Sequence, residues 1–193
     1  EDVLEALSIL ATFVRKRLTN LKVIGITGSQ GKTSTKDLLT HMLSNVGPTV
    51  SPAGSFNNDL GLPITLLECD EETKFCILEM GARHQGDIAR LCTIAQPNIG
   101  VVLTVGTAHL GEFGSVEAIA ETKSELIQTL RPDGIAVLGN YDKYTPAMSS
   151  LHSGRVINFG SGCEVRAAEI EIREGRPHFD LVTPAGRDAV GMR

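Results

Sequence analysis

No apolar run in this sequence approaches the about 20 residues that cross a bilayer, and the N-terminal stretch lacks the charged, apolar and small-residue order of a signal peptide. No membrane insertion is expected, and the cysteine usage described below suits a cytoplasmic chain. Positive charge is not in excess either. The net charge is −5 and the isoelectric point is near 5.5, which argues against nucleic acid as a partner but leaves room for a local cationic pocket. The four cysteines, Cys69, Cys76, Cys92 and Cys163, form no C-x-x-C pair and no zinc-like spacing. Buried reduced thiols are the expectation. Repeats and low-complexity segments are also missing. What remains is ordinary globular material, 41% hydrophobic and 21% charged. Its 193 residues suffice for one sizeable domain, with or without a small appendage; a monomer is expected.

Along the chain, Val3, Leu4, Leu7, Leu10, Ala11, Val14 and Leu18 recur at helical spacing. Four apolar runs, 21–26, 75–78, 99–105 and 135–138, then read as buried strands, because they lack polar alternation. Helical patterns lie between them at 33–45, 86–95 and 116–130, with a further helix near 59–68. Such alternation predicts an α/β fold: a mainly parallel sheet of the P-loop type, flanked by helices. From Arg155 onward "VINFG", "EVRAAEIEI", "HFDLVTP" and "DAVGM" read as short strands separated by Gly-rich turns. An antiparallel β meander is expected at this C-terminal end.

The stretch "GITGSQGKTST" joins the first apolar run to the first inner helix. The usual phosphate loop is G-x-x-x-x-G-K-[ST], which would put Gly at the position of Ile26; the variant here is Thr27-Gly28-Ser29-Gln30-Gly31-Lys32-Thr33. The physical requirements survive the change. Gly28 and Gly31 let backbone N–H groups turn inward, and the following helix offers its positive end to an anion. Lys32 is placed to bridge terminal phosphates and the Thr33 hydroxyl to ligate Mg²⁺. The bland alternative is a strand–helix turn with an exposed lysine; strand before and helix after favour nucleotide binding.

Two further strand ends carry polar groups. "FCILE" delivers Glu79 and "VVLTVGTAH" delivers His109, on the sheet edge where ligands of open α/β sheets bind. They are candidates to join Thr33 on a metal, against the commoner fates of a cap and a satisfied loop histidine. In the helix that Ser115 is placed to cap, Lys123 takes the missing position on an apolar face of Val116, Ile119, Ala120, Leu126, Ile127 and Leu130. Either its ammonium snorkels to water, or it is buried with a lowered pKa, as a nucleophilic or CO₂-accepting amine. The segment "SFNNDLGLPITLL" crowds Asn57, Asn58 and Asp59 between turn residues. Turn chemistry accounts for the amides, and so does contact with a polar second substrate.

Together "GITGSQGKTSTKDLL", "SFNNDLGLPITLL", "ILEMGARHQGDIARL", "PNIGVVLTVGTAHLGEFGS" and "IAETKSELI" resemble the central ATPase domain of the Mur ligase family, over about residues 20–193. The phosphate loop is common to all Mur ligases and to folylpolyglutamate synthetases. The Asn-rich segment and the "EMGA…GDI" run are closer to the branch that joins D-Ala-D-Ala to UDP-N-acetylmuramoyl-tripeptide. The resemblance implies ATP and Mg²⁺ as cofactors, those two peptides as substrates, and amide ligation through an acyl phosphate. It implies nucleotide contacts from Gly28, Ser29, Gln30, Gly31, Lys32, Thr33 and Ser34, with Asn140 and Asp142 near the nucleotide. It also implies metal ligation by Thr33, Glu79, His109 and a carbamylated Lys123, with Lys32, His109 and Lys123 as the catalytic set. Ser55, Asn57 and Asn58 fall in the substrate-contact segment; Ser55 stands where the family more usually has Asn. On this reading, residues 1–20 are a helical lead-in from an N-terminal domain, and 21–193 are a central domain cut short at its C-terminal end. Three rivals remain: folylpolyglutamate synthetase, which the Asn-rich loop disfavours; a GTPase switch, for which "NYDK" has the wrong order; and an ATP-binding module without catalysis.

Overall fold

Apolar runs without polar alternation need cover on both faces, and here they become the inner strands of a helix-flanked sheet. The computed structural model describes residues 2–108 and 110–191. In chain order they form α1 (Val3–Arg17), β1 (Lys22–Thr27), α2 (Lys32–Ser44), β2 (Thr49–Val50), α3 (Gly61–Leu67), β3 (Phe75–Glu79), α4 (Asp87–Ala95) and β4 (Ile99–Val102). There follow α5 (Leu110–Phe113), α6 (Val116–Gln128), β5 (Ile135–Gly139), a 3-10 turn at Pro146–Leu151, β6 (Arg155–Phe159), β7 (Arg166–Arg173), β8 (Arg176–Thr183) and β9 (Gly186–Gly191). The first six strands make one sheet in the order β2-β3-β1-β4-β5-β6, parallel throughout. From β1 the chain crosses to the edge strand β2, fills the gap with β3, then passes to β1's other side and builds outward through β4, β5 and β6. The switch in strand order therefore falls at β1, and ligands of such sheets bind at the carboxyl ends beside it.

The four strands expected from the apolar runs are the four inner ones. The third is shorter than the pattern: β4 ends at Val102, and 103–105 leave the sheet toward the phosphate loop. The two edges were not foreseen. β2 has only two residues, too few for any periodicity. β6, the "VINF" stretch assigned above to the meander, instead pairs in parallel with β5, Ala136 against Val156 and Leu138 against Asn158. Its half-exposed side chains suit an edge, and the crossover from β5 carries a 3-10 turn with no helical periodicity to announce it.

Helix packing follows from capping as much as from apolar faces. The Ser115 hydroxyl accepts the Ala118 N–H at 3.1 Å and starts α6, which buries Ile119, Leu126 and Ile127 against the sheet. α1 docks through Ala11 and through Arg15, a buried guanidinium. Arg15 donates to the carbonyls of Ala95 (2.8 Å), Gln96 (3.0 Å) and Leu18 (3.2 Å). A cation there meets the negative end of α4, which offsets part of its burial cost. Among the described residues no helix is long and apolar enough to cross a membrane. Cys69, Cys76 and Cys92 are buried free thiols and Cys163 is half-buried. β7, β8 and β9 form the separate antiparallel sheet. Glu174 and Gly175, both with left-handed φ of 52° and 76°, close its first hairpin, as a two-residue type I′ turn requires.

Candidate functional site

The phosphate loop is laced to the segment that follows β4. Its Ser29 N–H donates to Thr104 O at 2.9 Å, and the Ser29 hydroxyl accepts the Gly106 N–H at 2.8 Å. Beneath it, the fully buried Thr27 hydroxyl donates to Met80 O at 2.9 Å. Gly28 lies so close to Leu103 that a Cβ would stand 3.0 Å from the leucine Cβ, and Gly31 has φ 83° at the start of α2. Both positions therefore call for glycine. Gln30, Gly31 and Ser34 are exposed at the mouth. The Lys32 ammonium folds back across the loop and donates to Gly28 O at 2.8 Å. Burial holds it below the usual lysine pKa, and the nearby Glu79 carboxylate offsets part of that.

Glu79 ends β3 as anticipated and is 1% exposed. Its Oε2 accepts the Thr33 hydroxyl at 3.3 Å, while its buried Oε1 has no hydrogen-bond partner among the described residues. An orphaned carboxylate oxygen beside a hydroxyl, behind a phosphate cradle, fits a hard divalent cation. Mg²⁺ commonly takes one or two carboxylates and completes its shell with phosphate oxygens and water. No group of three His, Cys, Asp or Glu comes together among the described residues. His109 lies outside the described residues.

Lys123 faces inward. It is 8% exposed on α6, and with Lys32, Asn57, Asn58, Gly81, Arg83 and other residues it lines a cleft of about 440 Å³. Burial, reinforced by the Lys32 charge, pushes its pKa down to about 8. An amine so placed gives up its proton more readily than an exposed lysine.

The Asn-rich segment has divided duties. Asn58 Oδ1 accepts the N–H groups of Gly61 (3.0 Å) and Leu60 (3.3 Å), closing the turn into α3, so the turn reading applies to its carbonyl. Asn57 accepts the Gly81 N–H through its main chain at 2.9 Å and lays its side chain over Gly81. Ser55 is exposed. Asp59 pairs with Arg90 at the rim. Asp142 is committed to the protein: one oxygen accepts the Tyr144 and Thr145 N–H groups, the other the Val105 N–H and the Thr104 and Thr145 hydroxyls. It thereby fixes the 104–106 segment that supports Ser29. Asn140 donates its amide to Ser161 O at 2.9 Å.

Three polar residues that matter here had no sequence signal. Glu125, two positions beyond Lys123, accepts the N–H groups of Gly86 (2.6 Å) and Ala89 (2.9 Å), and so caps α4 from α6. Lys36 is a buried ammonium on α2, and Arg15 the buried cap already described. In sequence each reads as a solvated helix residue, since what satisfies it lies on another element.

This arrangement defines a phosphate-loop α/β domain with a buried, half-unpartnered carboxylate at its edge and a second, inward-facing lysine. More particularly, the chain belongs to the Mur ligase family: residues 26–192 match the Mur ligase middle domain. It is 50% identical over 184 residues to the UDP-N-acetylmuramoyl-tripeptide–D-alanyl-D-alanine ligase of Mycobacterium bovis, covering 93% of this chain and 36% of that protein. It is 52% identical to the ligase of the same name from Mycobacterium leprae, covering 94% and 38%. Among solved structures it resembles MurF from Acinetobacter baumannii, at TM-score 0.94 and 40% identity, covering 99% of this chain and 42% of that one. It also resembles the MurF ligase from Thermotoga maritima in complex with ADP, at TM-score 0.88 and 32% identity, covering 99% and 44%. The chain thus spans between 36% and 44% of the length of these relatives.

Proposed function

We propose that this chain is the central ATP-binding domain of a longer cytoplasmic ligase, which joins D-Ala-D-Ala to UDP-N-acetylmuramoyl-tripeptide in peptidoglycan precursor synthesis. The observation that carries the reading is the cleft in which Lys32, Lys123 and Asn57 converge, in a chain half identical to ligases of that name. The reaction joins a carboxylate to an amine with ATP consumed to ADP and phosphate, through an acyl phosphate. Work of that kind rests on positioning and charge neutralisation.

In this reading the Gly28–Ser34 loop cradles the phosphates on main-chain N–H groups, and Lys32 exchanges its bond to Gly28 O for phosphate oxygens. Thr33 and the unpartnered Glu79 oxygen would hold Mg²⁺, with His109 and a carbamate on Lys123 as further ligands. The metal would neutralise phosphate charge during transfer. The neutral form of the Lys123 amine would add to CO₂: an N–C bond forms, a C=O π bond opens onto oxygen, and the nitrogen proton passes to water, so that a group costly to bury as a cation becomes an anion suited to that site. Asn57 offers its amide to the muramoyl peptide. Asp142 acts one step away, by holding the 104–106 segment under Ser29.

The test is ligation by the full-length polypeptide, followed as phosphate release. Release that requires ATP, Mg²⁺, UDP-N-acetylmuramoyl-tripeptide and D-Ala-D-Ala together is the expected result. Release with a folate and glutamate in place of those peptides would overturn the assignment.

A further inference from the structure

Lys36 lies one helical turn beyond Lys32 and is 3% exposed. Burying an ammonium is costly unless its donors are met, and all three have acceptors. Its Nζ donates to Pro52 O at 2.9 Å and Gly54 O at 3.1 Å, and pairs with the Asp37 carboxylate at 2.7 Å. The two carbonyls belong to the irregular stretch between β2 and α3, in which Gly54 takes φ 73°. A few residues on, Asn57 is fixed to Gly81, directly after Glu79 and Met80. This stretch, which brings Asn57 and Asn58 to the cleft, is thus pinned at two points. One pin comes from the phosphate-loop helix and the other from the end of β3.

We propose that Lys36 is a positioning residue that registers the Ser55–Asn58 segment against the phosphate loop. Through it, the segment that holds the muramoyl peptide and the loop that holds the transferred phosphate share one rigid frame. The proposal rests on the assignment of that segment to the muramoyl substrate. The geometry is short: α2 begins at Lys32, so an anion bound at its start orders the helix, and the ammonium one turn along hands that order to the Pro52 and Gly54 carbonyls. Without the ammonium, both carbonyls lose their donor while the Asn57–Gly81 bond remains, and the segment swings about that single pin.

Lys36→Met keeps the packed stem and removes the charge. Gly54→Ala attacks the same stretch without touching α2, because its Cβ would meet nothing within 4 Å while φ 73° resists a side chain. Amide hydrogen exchange in the full-length polypeptide should rise about tenfold or more across 51–58 in both variants, and stay near wild type across 27–35 and 61–67. In ligation, the KM for the muramoyl peptide should rise about tenfold with that for ATP within about twofold. Unchanged exchange across 51–58 in both variants would overturn the proposal. So would exchange rising equally throughout α2, or an equal rise in both KM values, each of which marks Lys36 as support for the helix alone. If the wild-type polypeptide ligates no D-Ala-D-Ala, the functional reading fails, and the exchange comparison still decides the role of Lys36.

Discussion

The parallel body and the β7–β9 sheet use similar strand-forming residues to opposite ends. In the body, β1 is buried along all but its first residue, and Ile77 and Leu126 are wholly enclosed. In the antiparallel sheet, Ile170 and Ile172 are 64% and 68% exposed. Among the described residues, no hydrophobic side chain after Met148 belongs to the buried core. Covalently continuous, the two regions are energetically unequal. The proposed chemistry falls where burial is available: an orphaned Glu79 oxygen and an inward Lys123 interact strongly with charge only where water is scarce.

The largest effect that separates the two regions should come from Lys123. In the full-length polypeptide, Lys123→Ala should lower turnover by about 10²–10³-fold or more, the scale of losing a preorganised charge at a reacting phosphate. ATP binding should be largely spared, because Lys32 and the loop are untouched. Phosphate release and calorimetry read the two halves of that statement. Turnover within a few-fold of wild type would mean that Lys123 merely packs the cleft wall.

Stability offers the next contrast. Ile77→Ala in β3 should cost about 2–5 kcal/mol, transfer and cavity together, whereas Ile172→Ala in β7 should stay within about 0.5 kcal/mol. Urea unfolding of both variants measures the gap. Equal losses would make the antiparallel sheet a structural partner of the body and erase the comparison.

A smaller effect is expected at the phosphate loop. Lys32→Ala should weaken ATP by about 1.5–3 kcal/mol, the range for a hydrogen bond to a charged group. Calorimetric titration of wild type and variant in the full-length polypeptide decides it, and equal affinities would remove Lys32 from the phosphate site.

The smallest effect is expected from Asp142, and it depends on pH. Partial burial pushes its pKa up, but hydrogen bonds from Val105, Thr145 and Tyr144 outweigh this and leave it below the usual carboxylate value. A depressed carboxylate stabilises the fold above its unfolded pKa and loses that contribution as pH falls through the folded value. Asp142→Asn should therefore lower the unfolding free energy at pH 7, read from urea titration, by about 1 kcal/mol, and the gap to wild type should close as pH falls below the usual carboxylate value. A gap that widens in acid would contradict the sign.

Much of this architecture was legible before any coordinates. The four inner strands announced themselves by unbroken apolar runs, because a strand covered on both faces has no reason to alternate. The phosphate loop was visible despite Ile26, because its glycines and Lys32-Thr33 pair sit between a strand and a helix. Ser115 as a cap and Glu79 as the last residue of β3 were equally local facts. The tail was read only in part. "VINF" is strand-like, but periodicity does not name a partner, and β6 was misassigned to the antiparallel sheet for that reason.

The sequence by itself therefore determined the four inner strands and the main helices between them, where the glycine-rich turn lies, and that Glu79 ends its strand at the carboxyl edge of the sheet. Each is written within one element, in the spacing of apolar residues and in the backbone needs of glycine. Only the tertiary structure decided that β6 joins the parallel sheet, that the Asn58 carbonyl is spent on a turn, that Lys123 faces Lys32, and that Lys36 is buried against Pro52 and Gly54. In those cases the deciding quantity is whether a polar atom finds a partner away from water, and the partner comes from another element of the fold.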